Sequence, residues 1–133
     1  MKRILLVLLV VINVFAYSCK EESKSSEIQL VTPEEMKELS QLEDVQLVDV
    51  RTPEEYSEGY IEDFQNIDYL SPNFDKEMEK LDKTKPVIVY CKSGNRSGKC
   101  AAKMKERGFV KVYDLDGGIA KWKFKGYELK SAP

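Results

Sequence analysis

Val87-Ile88-Val89-Tyr90-Cys91-Lys92-Ser93-Gly94-Asn95-Arg96-Ser97-Gly98 is the stretch from which the rest of the chain is read. Four β-forming residues run into a cysteine, a short loop of small, polar and cationic residues follows, and a helix begins. The thiol then stands at the C-terminal end of a strand, at the bottom of a cup of backbone N–H groups closed by a helix N-terminus. Those donors, the helix dipole and the Arg96 guanidinium all favour negative charge, and so favour a thiolate at Cys91 and an anion beside it. The loop reads as a site of nucleophilic sulfur chemistry. The bland alternative is a buried cysteine at a strand end. It leaves Lys-Ser-Gly-Asn-Arg-Ser unexplained, because no core position requires that loop.

The chain has no histidine. A Cys–His pair, a Ser–His–Asp triad and any histidine metal site are therefore excluded. A nucleophilic Cys91 has to be activated by electrostatics alone, and the N–H groups with Arg96 and Lys92 supply that. No metal or organic cofactor is implied. With 21 Lys and Arg against 23 Asp and Glu, the chain gives no support for nucleic-acid binding.

Outward from the loop, strands and helices alternate. Ile28 to Val31, Gln46 to Val50, Phe64 to Ile67, Pro86 to Tyr90 and Val110 to Tyr113 read as five strands. Pro86 to Tyr90 is the most hydrophobic and belongs at the centre. Thr32-Pro33-Glu34-Glu35 and Thr52-Pro53-Glu54-Glu55 are two copies of one helix-start signal: a threonine N-cap, proline at the first position and acids in the first turn. Further helices are expected from Ser71-Pro72 towards Leu81, from about Arg96 to Arg107 with Gly108 as cap, and from Ile119 to Phe124. Phe74, Met78 and Leu81 share one face of the first of these. The pattern predicts an α/β domain over residues 28–133, with a mostly parallel five-stranded sheet covered by helices on both faces. Ligands in such sheets bind at the carboxyl ends of the strands, where Cys91 stands.

The N-terminus is read separately. Lys2 and Arg3 precede an apolar run from Ile4 to Ala16, and Ala16-Tyr17-Ser18 leads into Cys19. Residues 1–18 resemble a bacterial lipoprotein signal peptide, with Cys19 as the lipidated first residue of the mature chain; an ordinary secretory signal is the alternative. Alanine stands at position 16, where such signals usually carry leucine. Residues 19–27 are polar and form a flexible tether with a reach of about 15–20 Å. This implies a lipid-anchored domain at the bacterial cell envelope, facing the periplasm or exposed at the surface. The remaining cysteines, Cys91 and Cys100, are too few for a disulfide scaffold.

The chain resembles a single-domain rhodanese over about residues 30–127. Leu47-Val48-Asp49-Val50-Arg51-Thr52-Pro53-Glu54-Glu55-Tyr56 is similar to the family's first signature, and Gly59-Tyr60-Ile61 with Asn66-Ile67 to its second. Cys91 to Ser97 matches the active-site loop, and Asp116-Gly117-Gly118-Ile119 with Trp122 the C-terminal signature. Members usually have Gly-His-Ile followed by Pro-Gly-Ala where this chain has Gly59-Tyr60-Ile61-Glu62-Asp63-Phe64. The departure leaves the sulfur chemistry possible and is expected to alter the pocket rim and substrate preference. Four residues separate Cys91 from Arg96; related phosphatases use five, in a larger cup that holds phosphate.

The resemblance implies a sulfurtransferase that moves a sulfane sulfur from thiosulfate or a persulfide donor to cyanide or a thiol, through a Cys91 persulfide. Lys92, Ser93, Gly94, Asn95, Arg96 and Ser97 would bind the anionic donor, with Arg96 and Lys92 orienting it, Ser93 and Ser97 adding hydroxyl contacts, and Gly94 and Gly98 allowing tight curvature. A protein acceptor of the sulfur is a further partner it admits. The alternative is a partner-docking or sulfur-carrier module with little turnover of free thiosulfate. Asp49 and Arg51, at a strand's carboxyl end, are read as structural, with Arg51 pairing with Glu54 or Glu55 and Asp49 accepting loop or helix hydrogen bonds. Ser97, Cys100, Ala101 and Met104 share a helix face. Cys100 is thus expected in the core, with a resolving thiol for Cys91 as the sharper reading. Trp122 is expected in the core.

Overall fold

The computed structural model describes residues 26–132. The expected signal peptide, Cys19 and most of the expected tether lie outside them. The elements are β1 (Glu27–Val31), α1 (Pro33–Leu39), β2 (Gln46–Asp49), α2 (Pro53–Glu58), β3 (Gln65–Asn66), α3 (Phe74–Met78), β4 (Val87–Tyr90), α4 (Asn95–Glu106), β5 (Lys111–Leu115) and α5 (Gly118–Phe124). The strands form one sheet in the order β1-β5-β4-β2-β3, and every pairing within it is parallel. The expected five-stranded α/β architecture is therefore present, with β4 at the centre.

Strand alternation sorts the core into two halves. Val87, Val89 and Cys91 face α3 and α4, packing with Met78, Cys100, Ala101 and Met104. Ile88 and Tyr90 face the other way, towards Met36 of α1 and Ile119 and Trp122 of α5. All four β4 side chains are fully buried, and each aliphatic one contributes about 1.5–3 kcal/mol relative to exposure. A sheet covered on both faces accounts for a central strand without a polar position.

Both Thr-Pro-Glu-Glu segments form complete capping boxes. The Thr32 N–H donates to Glu35 Oε2 at 2.8 Å and the Glu35 N–H to Thr32 Oγ1 at 3.1 Å; Thr52 and Glu55 do the same at 3.0 and 3.3 Å.

Several boundaries differ from expectation, β3 being only Gln65–Asn66 where Phe64 to Ile67 is expected. β1 begins at Glu27, which pairs with Lys111, so the strand takes in the last residue assigned to the tether. The helix expected from Ser71-Pro72 to Leu81 is regular only over Phe74–Met78. Its ends are tighter turns, with the Phe74 N–H donating to Ser71 O and the Leu81 N–H to Met78 O. Phe74 and Met78 are still buried, with Leu81 packed beside them. β5 does not stop at Tyr113: pairing with β1 and β4 carries it to Leu115, which places Asp114 inside the sheet opposite Val89.

Asp63 has φ +68°, in the left-handed region. It occupies the position at which the resembling family carries glycine, and it closes the turn from which the Phe64 N–H donates to Ile61 O at 3.2 Å. The Cβ–carbonyl crowding of that conformation is relieved in glycine. Asp63→Gly is expected to raise the unfolding free energy by up to about 1 kcal/mol, read as a higher urea midpoint at unchanged slope; an unchanged or lower midpoint would show that the turn is unstrained.

Candidate sulfur-transfer site

The site begins where β4 ends. The Cys91 side chain is almost fully buried, and its sulfur accepts the Gly94 N–H at 3.1 Å. Burial by itself pushes the thiol pKa up. The Ser97 hydroxyl and the amides of Ser97, Gly94 and Ser93 outweigh it and hold Cys91 below the ordinary thiol value. Gly94 is the turning point. With φ +107° it N-caps α4 in a conformation that L side chains rarely adopt, and it aims its amide at the sulfur.

The first two carbonyls of the loop are clamped by α5. The Ile119 N–H donates to Cys91 O at 2.9 Å and the Ala120 N–H to Lys92 O at 3.0 Å. Between them passes Gly118, at φ +61°. A Cβ there would lie 2.5 Å from Lys92 O and 2.6 Å from Cys91 O, so only glycine lets α5 approach this closely. This is the physical content of the Asp116-Gly117-Gly118-Ile119 segment. Gly98, expected to help the curvature, lies within α4 at ordinary φ, and a Cβ there would meet Asp114 Oδ2 at 3.8 Å. The curvature belongs to Gly94.

The loop residues divide by exposure. Lys92, Ser93 and Asn95 are exposed, Gly94 and Arg96 are half-buried, and Ser97 is buried beneath. Of the two hydroxyls expected at the site, Ser97 is the one that bears on Cys91. Arg96 is held by a partner that sequence reasoning missed. Its Nη1 and Nη2 donate to Glu55 Oε2 and Oε1 at 2.7 and 2.9 Å, a bidentate pair tying α2 to α4. Both terminal nitrogens thus grip a carboxylate, while Lys92 makes no ion pair among the described residues. The Arg96 charge still acts on the Cys91 thiolate through space.

Arg51 pairs with neither Glu54 nor Glu55, contrary to expectation. Its Nη2 meets Asp49 Oδ2 at 2.6 Å and Gly59 O at 2.7 Å, and its own N–H donates to Asp49 Oδ1 at 3.0 Å. Glu55 is already committed to the Thr52 cap and to Arg96, and the buried Asp49 carboxylate needs a cation beside it. Asp49 therefore accepts its hydrogen bonds from Arg51. Asn66 Nδ2 adds bonds to Asp49 O and Arg51 O at 3.0 and 2.7 Å. Tyr90 lies beneath the guanidinium, 5.5 Å from ring centroid to Cζ, and its hydroxyl accepts the Ile61 N–H at 3.0 Å. Tyr60, in place of the usual histidine, stacks on Tyr56 with centroids 4.3 Å apart.

Cys100 is fully buried, and burial, helped by the Asp114 charge, pushes its thiol up to about 12. It is a protonated core residue. Trp122 is also in the core, with Nε1 donating to Glu128 O at 3.0 Å. The second residue that sequence reasoning missed is Asp114, buried beneath the loop, whose carboxyl is pushed up to about 6 by burial. An acid on a strand next to that of the cysteine was the available signal. The expected end of β5 at Tyr113 leaves Asp114 just outside the sheet.

Glu55 yields a pH dependence. The Arg96 hydrogen bonds hold its carboxyl near 2, against an ordinary value of 4.5. A depressed folded-state pKa stabilises fully above the unfolded value, and that contribution disappears as pH falls towards 2. With Glu55 and Arg96 partly exposed, it is about 1–2 kcal/mol. Glu55→Gln is expected to lower the unfolding temperature at pH 7, with the gap to wild type closing as pH approaches 2. A gap independent of pH would mean that the pair contributes no charge interaction.

With the geometry established, similarity to known proteins is informative. The Rhodanese-like domain model matches residues 32–125. A thiosulfate sulfurtransferase GlpE of Coxiella burnetii is 40% identical over 87 residues, covering 65% of this chain and 78% of that protein. A rhodanese-related protein of Thermoplasma volcanium superposes with a TM-score of 0.69 at 25% identity, over 78% of this chain and 99% of that one. The polysulfide-sulfur transferase homodimer of Wolinella succinogenes does so with 0.66 at 26% identity, over 84% of each chain. The five-stranded parallel sheet, the cysteine loop at the end of its central strand and the family match over residues 32–125 agree, and the chain belongs to the rhodanese family of sulfurtransferases.

Proposed function

We propose that this protein transfers a sulfane sulfur from thiosulfate or a persulfide donor to a thiol or cyanide, with Cys91 as the carrier. The observation that carries this reading is the buried Cys91 sulfur receiving the Gly94 N–H at 3.1 Å, with its pKa held down by the surrounding amides. In the first step the Cys91 thiolate attacks the outer sulfur of thiosulfate. A new S–S bond forms, the donor S–S bond breaks, and sulfite leaves with the bonding electron pair. Cys91 then carries a persulfide anion, which the loop amides stabilise by charge-assisted hydrogen bonds. In the second step cyanide or a thiolate attacks the terminal sulfur, leaving as thiocyanate or a new persulfide and restoring the Cys91 thiolate. Gly94 and Ser97 act on the sulfur, exposed Lys92 attracts anionic donors at the rim with Ser93 and Asn95 beside it, and Arg96 biases the site towards the anion while anchored on Glu55. A protein thiol is an acceptor this reading admits.

Intact-mass spectrometry after thiosulfate tests this directly. The expected result is a gain of one sulfur atom, lost on adding cyanide and absent in Cys91→Ala. No adduct with thiosulfate or with a low-molecular-weight persulfide would overturn it in favour of a partner-docking module.

The same proposal places the domain at the bacterial cell envelope, facing the periplasm or the cell surface. The basic and apolar run before Cys19 supports lipidation of that cysteine, and the polar residues after it serve as the tether. Expression in a bacterial host is expected to yield a membrane-fraction protein carrying lipid mass on Cys19, and Cys19→Ser to release it. Lipid-free protein from the parent sequence would exclude the anchor.

A further inference from the structure

Two buried side-chain atoms lack a partner at full hydrogen-bond geometry among the described residues: Ser97 Oγ and Asp114 Oδ1. Unpaired polar atoms in a protein interior are costly and call for a reason. Both lie on the α4 face of the sheet. Asp114 shares its face of β5 with Val112, which packs against α4, and it is in register with Val89, two residues before Cys91 on the adjacent strand. Ser97 occupies the first turn of α4, and its hydroxyl acts on both the Cys91 sulfur and the Asp114 carboxyl, favouring the anion of each. A Cβ on Gly98, the residue after Ser97, would stand 3.8 Å from Asp114 Oδ2, so the carboxyl lies under the first turn of α4, on the same buried face as Ser97 and Cys91.

Lys92 stands at the exposed rim, and several neighbouring charges are paired elsewhere. On α4, Arg96 is held by Glu55 of α2, and Lys103 reaches outward to Asp75 at 2.8 Å. On β2, Asp49 is held by Arg51. Asp116, following β5, pairs with Lys121 at 2.8 Å and adds its field to burial in raising Asp114 towards 6. The Cys100 thiol stays protonated. In this cluster, Cys91 and Asp114 are the groups left to exchange a proton.

We propose that Asp114 is a positioning residue for Cys91, taking up the thiol proton through the Ser97 hydroxyl as the thiolate forms. The Cys91 S–H bond breaks and its proton passes to Ser97 Oγ, while the Ser97 O–H proton passes to Asp114 Oδ1. Thiol and carboxylate become thiolate and carboxylic acid, with charge conserved and no proton released to solvent. In the product, the acid donates to Ser97 Oγ and Ser97 donates to the sulfur, so both orphaned atoms gain partners. A chain without histidine acquires an internal proton acceptor in this way. Loss of the second proton leaves two anions competing for one hydroxyl proton, so the pair titrates in two steps. This proposal rests on Cys91 being the nucleophile.

The test is the pH profile of iodoacetamide alkylation at Cys91 in the full chain, followed by peptide mass spectrometry. The wild-type rate is expected to rise in two steps, the lower near pH 6. In Asp114→Asn the amide mimics the neutral acid and removes the repulsion, giving one step with a midpoint about one pH unit below the wild-type upper step. In Ser97→Ala the lower step should vanish, and adding Asp114→Asn should change little. Ser97→Ala, a small-for-small replacement in the core, carries the test if Asp114→Asn does not fold. A one-step wild-type curve that Asp114→Asn leaves in place overturns the proposal, as does a lower step that survives Ser97→Ala. An Asp114→Asn shift undiminished in the Ser97→Ala background also overturns it, because it marks a direct field rather than a relay. Alkylation needs no sulfur donor, so a two-step profile without any sulfur adduct would sink the sulfurtransferase reading and leave this one standing.

Discussion

The carbonyls of Cys91 and Lys92 are held by the amides at the start of α5, and the candidate site is organised around that contact. It determines which way the first two peptides of the loop face. It also brings a helix backbone so close that Gly118 admits no Cβ. With those peptides pinned, one left-handed residue, Gly94, is enough to turn the chain back and deliver an N–H to the sulfur at 3.1 Å. The parallel sheet provides the frame, because β4 and β5 in register set the end of one strand beside the start of the helix that follows the other. The Cys91 thiol is held below its ordinary pKa because of where its neighbours' amides point.

Electrostatics then isolates the sulfur. Deep burial would ordinarily keep a thiol protonated, and the fold counters this with dipoles rather than with a free guanidinium. Arg96 and Arg51, the two arginines nearest the loop, are each gripped by a carboxylate, from Glu55 and Asp49. Glu55 joins two levels of structure: as the third residue of α2 it closes the capping box with Thr52, and the same carboxylate anchors the helix of the cysteine loop. A local helix-start signal is thereby also a tertiary contact. Lys92, exposed on the loop, makes no ion pair among the described residues.

Most of the fold was legible because it follows from short-range rules. Threonine-proline-acid segments start helices wherever they occur, and both did so here with complete capping boxes. An unbroken apolar run bounded by polar residues is a strand covered on both faces, and β4 is one. The cysteine loop was legible for the same reason, since glycine, small polar residues and a helix start in that order dictate a tight turn. Helix length was less so: the Phe74–Met78 face was readable, but the turns that shorten α3 depend on how its ends are held.

The amino-acid sequence by itself therefore determined the alternation of strands and helices, the central strand, the helix caps and the identity of the cysteine loop, because each depends on residues within a few positions of one another. Tertiary structure alone decided which charge meets which. Glu55 and Arg96 are 41 residues apart, and Arg51 turns to Asp49 because Glu55 is already engaged. Asp114 comes under the loop because pairing with two neighbouring strands extends β5 past Tyr113. Partners of buried charges are chosen by competition among everything the fold brings within reach, and that competition has no counterpart in local sequence.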